Sequence, residues 1–351
     1  MLRAILSDDL PRSRWLAATL ALVLIGLAVA PFLFPGAKSL NVAAKICVFI
    51  VLAASFDLLL GYTGIVSFAH TMFFGIGAYG VAIALTRLGA GWDSVALGVA
   101  AGLAVAVVLA TLIGLFSLRV RTIFFAMITL AVASAFLILA SQLSEVTGGE
   151  DGLNYRLPAA LRPSFSLVDG TLFGVRLNGR LVDYYVVYLA SLVLVLILLR
   201  VVNSPFGSVL MAIRENPFRA EAIGYRTVVY RTIASCIAAA VAALAGALLA
   251  LWSSQTNPDT TLSFDIMVDI LLMVVIGGMG TIYGAVLGAT LLLFAQNYLQ
   301  DLLGIANQAL ASVPLLANLF HPDRWLLWLG LAFILCVYFF PSGIVGRLRR
   351  R

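Results

Sequence analysis

The sequence predicts an all-α integral membrane protein of about ten transmembrane helices, some broken at glycines, with short helices on the cytoplasmic side. Three observations predict it. Of 351 residues, 62% are hydrophobic and only 11% charged, and the mean hydropathy is +1.08. Soluble chains are about 45–50% apolar and about 25% charged, so the apolar surplus here has to face lipid. Uncharged stretches near the ~20 residues needed to cross ~30 Å of hydrocarbon recur along the chain. Basic residues, finally, concentrate on one side of the alternating connections, as the orientation rule for membrane helices requires.

The elements follow in order. Residues 15–37 form a first span, longer than the core of a cleavable leader and without a small-residue cleavage site, so it is expected to be retained. Residues 46–86 are too long for one span and carry a glycine turn, Gly61-Tyr62-Thr63-Gly64. Residues 94–118, 122–144, 184–199 and 232–258 each read as one span or contain one. Residues 266–300 divide at Gly277-Gly278-Met279-Gly280, and residues 325–346 close the set. The whole reads as a single transmembrane domain over 1–351. It has N-terminal spans at 15–143, an outer loop at 144–183, a span at 184–202 and an inner segment at 203–230, then C-terminal spans at 231–346 and an inner tail at 347–351.

With the N-terminus inside and ten crossings, 14 of the 22 lysines and arginines fall on the cytoplasmic side, including Arg119, Arg121 and the Arg347, Arg349, Arg350, Arg351 tail. Four of the remainder share the long outer loop, where charge counts little. The net charge of +6 is therefore an orientation signal and an attraction to anionic headgroups, and its scatter argues against nucleic acid binding. Cys47, Cys236 and Cys336 lie in apolar runs and read as free, buried thiols.

Several functions are excluded by what the chain lacks. A phosphate loop needs glycines whose N–H groups wrap the phosphates; the nearest string, Gly36-Ala37-Lys38-Ser39, has Leu33 where the first glycine belongs. The two histidines and dispersed carboxylates offer no metal-ligand spacing, so no metal and no catalytic group is expected.

Polar groups inside spans are costly and default to functional candidates. Asp57 lies near the inner end of the second span and Lys45 near its outer end, ~18 Å apart along a helix and out of reach of each other. Lys45 is expected to snorkel outward. Asp57 is open to a partner on another helix or to a pathway role. His70 follows the first glycine break by less than two helical turns and reads either as a donor to a neighbouring carbonyl or as a gate. Asp265 and Asp269, one turn apart, share a face at the outer mouth. Gly280, Gly284 and Gly288 make a small-residue stripe for close helix contact. Broken helices of this kind either pack closely or line a translocation path.

The most informative stretch is Ser204-Pro205-Phe206-Gly207 through Arg214-Glu215-Asn216-Pro217 to Glu221-Ala222-Ile223-Gly224. Ser204 before Pro205, and Asn216 before Pro217, are paired helix starts, the second proline bends the chain, and Gly224 is a stop. Val209, Leu210 and Ile213, then Phe218, Ala222 and Ile223, offer apolar faces. A bent amphipathic element of this kind either docks into a groove on a soluble partner or lies against headgroups.

This stretch resembles the cytoplasmic signature of branched-chain amino acid ABC permeases of the longer, LivM type. Agreement extends to Gly61-Tyr62-Thr63-Gly64-Ile65-Val66-Ser67-Phe68-Ala69-His70 with Gly75 and Gly77, to Thr147-Gly148-Gly149 with Asp151-Gly152, and to Gly277-Gly278-Met279-Gly280-Thr281 with Gly284. Asp57 stands where such permeases usually carry Asn, and Phe68-Ala69 replaces Leu-Gly; the urea permeases of the same superfamily share the pattern. The resemblance implies an importer subunit in a bacterial inner membrane, with both termini cytoplasmic. Its expected partners are a second homologous permease, two ATP-binding subunits carrying the ATP and Mg that this chain lacks, and a periplasmic substrate-binding protein. It implies ATPase coupling through Arg214, Glu215, Asn216, Pro217, Glu221, Ala222 and Gly224. The candidates for a path or hinge are Asp57, Gly61, Thr63, Gly64, Ser67, His70, Gly277, Gly278 and Gly280. Thr147, Gly148, Gly149, Asp265 and Asp269 are candidates for docking the binding protein. An ion-coupled transporter would place carboxylates deep in the spans, and an intramembrane enzyme a catalytic pair on facing helices; the sequence offers neither pattern.

Overall fold

The computed structural model describes residues 13–33, 36–117, 122–172, 175–309 and 318–349. The cytoplasmic arginines expected at 3, 12, 119, 121, 350 and 351 lie outside them. Among the described residues ten helices are long and apolar enough to cross a membrane, as the hydropathy pattern predicts. The spans are α1 (Arg14–Leu33), α2 (Ala37–Asp57), α3 (His70–Leu88), α4 (Trp92–Ser117), α5 (Thr122–Gln142) and α6 (Gly179–Val202). After two short helices, α7 (Pro205–Glu215) and α8 (Pro217–Ala222), come α9 (Thr227–Ser253), α10 (Phe264–Gly277), α11 (Ile282–Ala309) and α12 (Trp325–Phe339), with α13 (Gly343–Arg349) behind.

Burial sorts the helices into layers. Every residue of α2 from Ile46 to Asp57 is buried, and α11, α9 and α6 pack around it. Alanine-rich α9 lies against α2, α3 and α4 because small side chains let backbones approach, the usual basis of helix association where lipid is as apolar as leucine. The tightest crossing pairs Gly77 of α3 with Gly246 of α9. A Cβ on Gly77 would overlap the Ala243 carbonyl, and one on Gly246 would overlap the Phe74 carbonyl. At the other extreme, α12 buries none of its residues, and α4 and α5 expose Leu97, Phe116, Ile123 and Met127. These outer faces meet lipid. Replacing Gly77 by valine forces backbone against backbone, so we expect a loss of about 3 kcal/mol or more, at or above the upper end of overpacking costs. The unfolding midpoint of the detergent-solubilised protein measures it, and an unshifted midpoint would contradict the tight crossing.

Span limits differ from the sequence reading at several places. The helix read as ending at residue 300 runs to Ala309, the one read to 258 ends at Ser253, and the last ends at Phe339 instead of 346. The sixth span begins at Gly179 instead of Tyr184, so Arg180 and Asp183 belong to a helix and leave the outer loop. The helix starts early because Asn178 caps it through Leu181 N–H and because Arg180 has partners to leave solvent for. Its guanidinium stacks on the Trp252 ring at 3.7 Å, with Nη1 donating to the Trp252 carbonyl at 2.8 Å and Nη2 to Asn41 Oδ1 at 2.9 Å. The seventh span begins at Thr227 instead of residue 231. Lastly, the span starting at Ala37 follows α1 after a shorter connection than the 15–37 reading allowed.

Two small antiparallel pairings involve the outer connection. β1 (Leu153–Asn154) pairs antiparallel with β4 (Gln255–Thr256), and β2 (Ser166–Leu172) with β3 (Val175–Asn178). Tyr155 anchors the first by donating its hydroxyl to the Ala250 carbonyl at 2.8 Å. Lys45 is exposed, as expected for a snorkelling side chain.

Candidate functional site

Both glycine breaks end at the face of the bundle that carries α7 and α8, and there they meet. The first begins where α2 widens into a π turn, Leu58–Thr63. Thr63 Oγ1 donates to the Leu59 carbonyl at 2.7 Å, and Gly64 stops the turn at φ 72°, a left-handed conformation glycine adopts without strain. Residues 64–69 are not helical, and His70 opens α3 instead of following the break within the same helix. The segment is held by tertiary partners no spacing rule reveals, among them the Phe68 N–H to Thr129 Oγ1 at 3.1 Å.

The second break is tighter. Gly278 and Gly280 sit at φ 119° and 81°, and Thr281 immediately precedes α11, its Oγ1 donating to the Gly278 carbonyl and accepting from Gly284 N–H. The stripe expected on α11 packs onto α10: Gly284 lies against Gly277 and Gly278, and Gly288 against Met273.

Asp57 and Arg214 join the two breaks. Asp57 is wholly buried, and its Oδ1 accepts the Gly280 N–H at 2.8 Å. Arg214, in the last turn of α7, reaches across and donates Nη1 to the Gly61 carbonyl. Its aliphatic stem lies beside Gly64, and Nη1 beside Gly280. A Cβ on Gly61 would overlap both Asp57 Oδ1 and the Gly280 amide, so the joint closes only around a glycine. Asp57, Gly61, Gly64, Gly280 and Arg214 therefore form one cluster, with Gly277 and Gly278 directly behind it. On the far side, Gly343 of α13 packs against Gly278.

Two other sequence candidates lie deeper. His70 is fully buried, its Nε2 2.8 Å from Ser55 Oγ and its ring edge-on to Phe56. Ser67 is buried in the non-helical segment.

The bent element takes the shape its prolines specify. Asn216 caps α8 by accepting the Arg219 N–H at 3.0 Å, and Gly224 ends it at φ 99°. Ser204 stands at the cap position of α7, but its hydroxyl donates to the Val201 carbonyl at 2.6 Å, so it does not cap by side chain. The two apolar faces part company. Leu210 and Ile213 are fully buried against the body, whereas Phe218 is 82% and Ile223 68% exposed. Glu215 and Ala222 are exposed as well, and Pro217 is half-buried between the two helices. Glu221 accepts from Thr227 Oγ1 at 2.5 Å, pinning α8 to the start of α9.

At the opposite end, the Thr147-Gly148-Gly149 turn faces inward. Thr147 Oγ1 is shared between the Ala140 and Leu143 carbonyls, Gly149 is buried, and the neighbouring Glu150 and Asp151 reach the surface. Asp265 is exposed, and Asp269 accepts from Gln296 Nε2 at 2.8 Å. Sequence reasoning missed Asp183, wholly buried beside the stacked Arg180, because polarity alone assigned it to a loop. No group of residues that could hold a metal occurs among the described residues.

Known proteins are similar to this chain in sequence. The branched-chain amino acid transport system permease component family matches residues 39–337. The high-affinity branched-chain amino acid transport system permease protein LivM of Salmonella typhimurium is 28% identical over 317 residues, covering 86% of this chain and 73% of its own. LivM of Escherichia coli is 27% identical over 315 residues, with 86% and 72% covered. BraD of Pseudomonas aeruginosa, described in the same words, is 27% identical over 305 residues, with 85% and 91% covered. No solved structure matches significantly. Spanning helices, paired glycine breaks and a match over most of its length make this chain a member of the branched-chain amino acid transport system permease family and a multi-pass membrane transport subunit.

Proposed function

We propose that the chain is the permease subunit of an ATP-driven importer that moves branched-chain amino acids inward across a bacterial inner membrane. The termini and α7–α8 face the cytoplasm, in keeping with the bias of basic residues. A periplasmic binding protein delivers the substrate, a second permease completes the path, and two ATPase subunits supply the energy. The observation that carries this reading is the bond from Arg214 to the Gly61 carbonyl, which ties the cytoplasmic element to the joint between two broken helices.

In this reading α8 docks on the ATPase through Phe218, Ile223 and Ala222. Arg214, Glu215, Asn216, Pro217, Glu221 and Gly224 keep the bent element rigid enough to transmit displacement. Asp57, Gly61, Thr63, Gly64, Gly277, Gly278 and Gly280 form the hinge at the inner mouth, with Ser67 and His70 behind it. The binding protein meets the outer face around Asp265 and the edge beside Thr147, Gly148 and Gly149, with Asp269 supporting it from α10.

An exposed aromatic seated in a partner's pocket is the usual interface anchor, worth at least ~2 kcal/mol. We therefore expect Phe218→Glu to strip the ATPase subunits from the purified complex while the permease itself stays in the membrane. Co-purification at normal yield would remove Phe218 from the interface. Substrate identity is tested by uptake into vesicles bearing the whole complex: leucine, isoleucine and valine should compete for one site. Competition by urea instead would reassign the substrate. Uptake that survives ATP depletion but collapses with an ionophore would replace the ATP-driven reading by an ion-coupled one.

A further inference from the structure

A cavity of about 530 Å³ opens between α3, α4 and α5, in the half of the bundle away from α7 and α8. We propose that it holds one membrane phospholipid, with an acyl chain along the slot and the phosphate on Arg87. Gly80, Gly98, Ala101 and Gly102 line the floor, and Phe136 closes one wall. Gly80 and Gly98 set its depth, since a Cβ on Gly80 would come within 2.6 Å of the Gly98 carbonyl. The two helices can approach no further, and the groove beside them stays unfilled. Leu97, Val105 and Leu139 flank the mouth and are each about half exposed, so the slot opens sideways into the bilayer.

Length and charge select the occupant. The lining runs along α3 from Ile76 to Leu88, about 18 Å at the helical rise. One leaflet of hydrocarbon is about 15 Å, half of the ~30 Å core. A slot this apolar offers water no partners, so it does not fill with solvent. Arg87 is the one charged residue in the lining and stands at the end of the slot where headgroups lie. Its guanidinium has five donors; Nη2 donates to the Glu145 carbonyl, and among the described residues no carboxylate lies within ion-pair distance. A planar fork at headgroup depth is matched to phosphate oxygens. A polypeptide helix in the slot would need no cation there.

The test uses the full chain in membrane vesicles and a phosphatidylethanolamine bearing a photoreactive group midway along one acyl chain. Mapped by peptide mass spectrometry, label should concentrate on residues 97–105 and 136–143. Ala101→Phe, which fills the slot, should reduce label there to the level found on lipid-facing α12. Arg87→Ala should weaken occupancy about five-fold, the effect of one basic residue at a headgroup, while Arg87→Lys retains most of it. Arg87 is exposed at the rim, so its variants fold even if Ala101→Phe does not. Slot labelling no higher than on α12, labelling unchanged in Arg87→Ala, or cross-links to another polypeptide in place of lipid would each overturn the proposal.

Discussion

Gly61→Ala is expected to lower transport about 100-fold or more while the protein remains in the membrane. The added methyl has nowhere to go: it would overlap Asp57 Oδ1 on its own helix and the Gly280 amide on the facing break. Backbone cannot swing aside as a flexible side chain does, so the end of α2 and the α10–α11 connection must separate. Separation breaks the Asp57–Gly280 bond and leaves a buried carboxylate oxygen without its partner, at about 1–3 kcal/mol, and a half-buried N–H unpaired beside it. Roughly 3 kcal/mol against the closed joint shifts its population by about two powers of ten. The control is Gly330→Ala on α12, where an added Cβ meets no atom within 4 Å. Uptake per molecule of inserted protein decides the matter. Equal uptake by the two variants would show that the joint need not close during transport.

That joint was only half legible in the sequence. The glycine pairs announce where helices break, because an apolar run too long for one span has to turn, and glycine is the residue that turns without strain. They do not announce that the two breaks touch, since the contact between residues 61 and 280 depends on how α2, α10 and α11 pack. Asp57 was open between a partner and a pathway role for the same reason. Its partner is a backbone amide, which no residue pattern encodes. Arg214 was legible as part of a motif, but its acceptor, the Gly61 carbonyl, was not.

The spans themselves were readable because the bilayer imposes a length and a polarity that few sequences satisfy by accident. Errors fall at their polar ends. Arg180 and Asp183 were assigned to solvent because charge in a span is costly, yet the Trp252 ring and the Asn41 amide give Arg180 a place inside. Likewise Ser204 has the identity of a cap and the position of one, but its hydroxyl finds the Val201 carbonyl first. Local propensity names the element in these cases, and tertiary partners decide its last turn.

Arg214→Ala is expected to uncouple the assembled transporter, with uptake lost and ATP hydrolysis retained. Leu210 and Ile213 seat α7 on the body by burial alone, and Phe218 presents α8 to the outside, so neither the docking surface nor the fold depends on the guanidinium. What depends on it is the hydrogen bond from α7 to the first break, at Gly61, beside the Asp57 bond to the second. A charge-assisted hydrogen bond contributes about 1.5–3 kcal/mol. Without it, displacement of α7 by the ATPase no longer reaches the hinge. Arg214→Lys keeps the charge but not the planar fork, and its shorter, more mobile amine should restore only part of the uptake. Hydrolysis and uptake measured on the same reconstituted complex give the ratio that matters. Parallel loss of both activities would mean that Arg214 serves assembly, and full retention of both would mean that force reaches the breaks by another route.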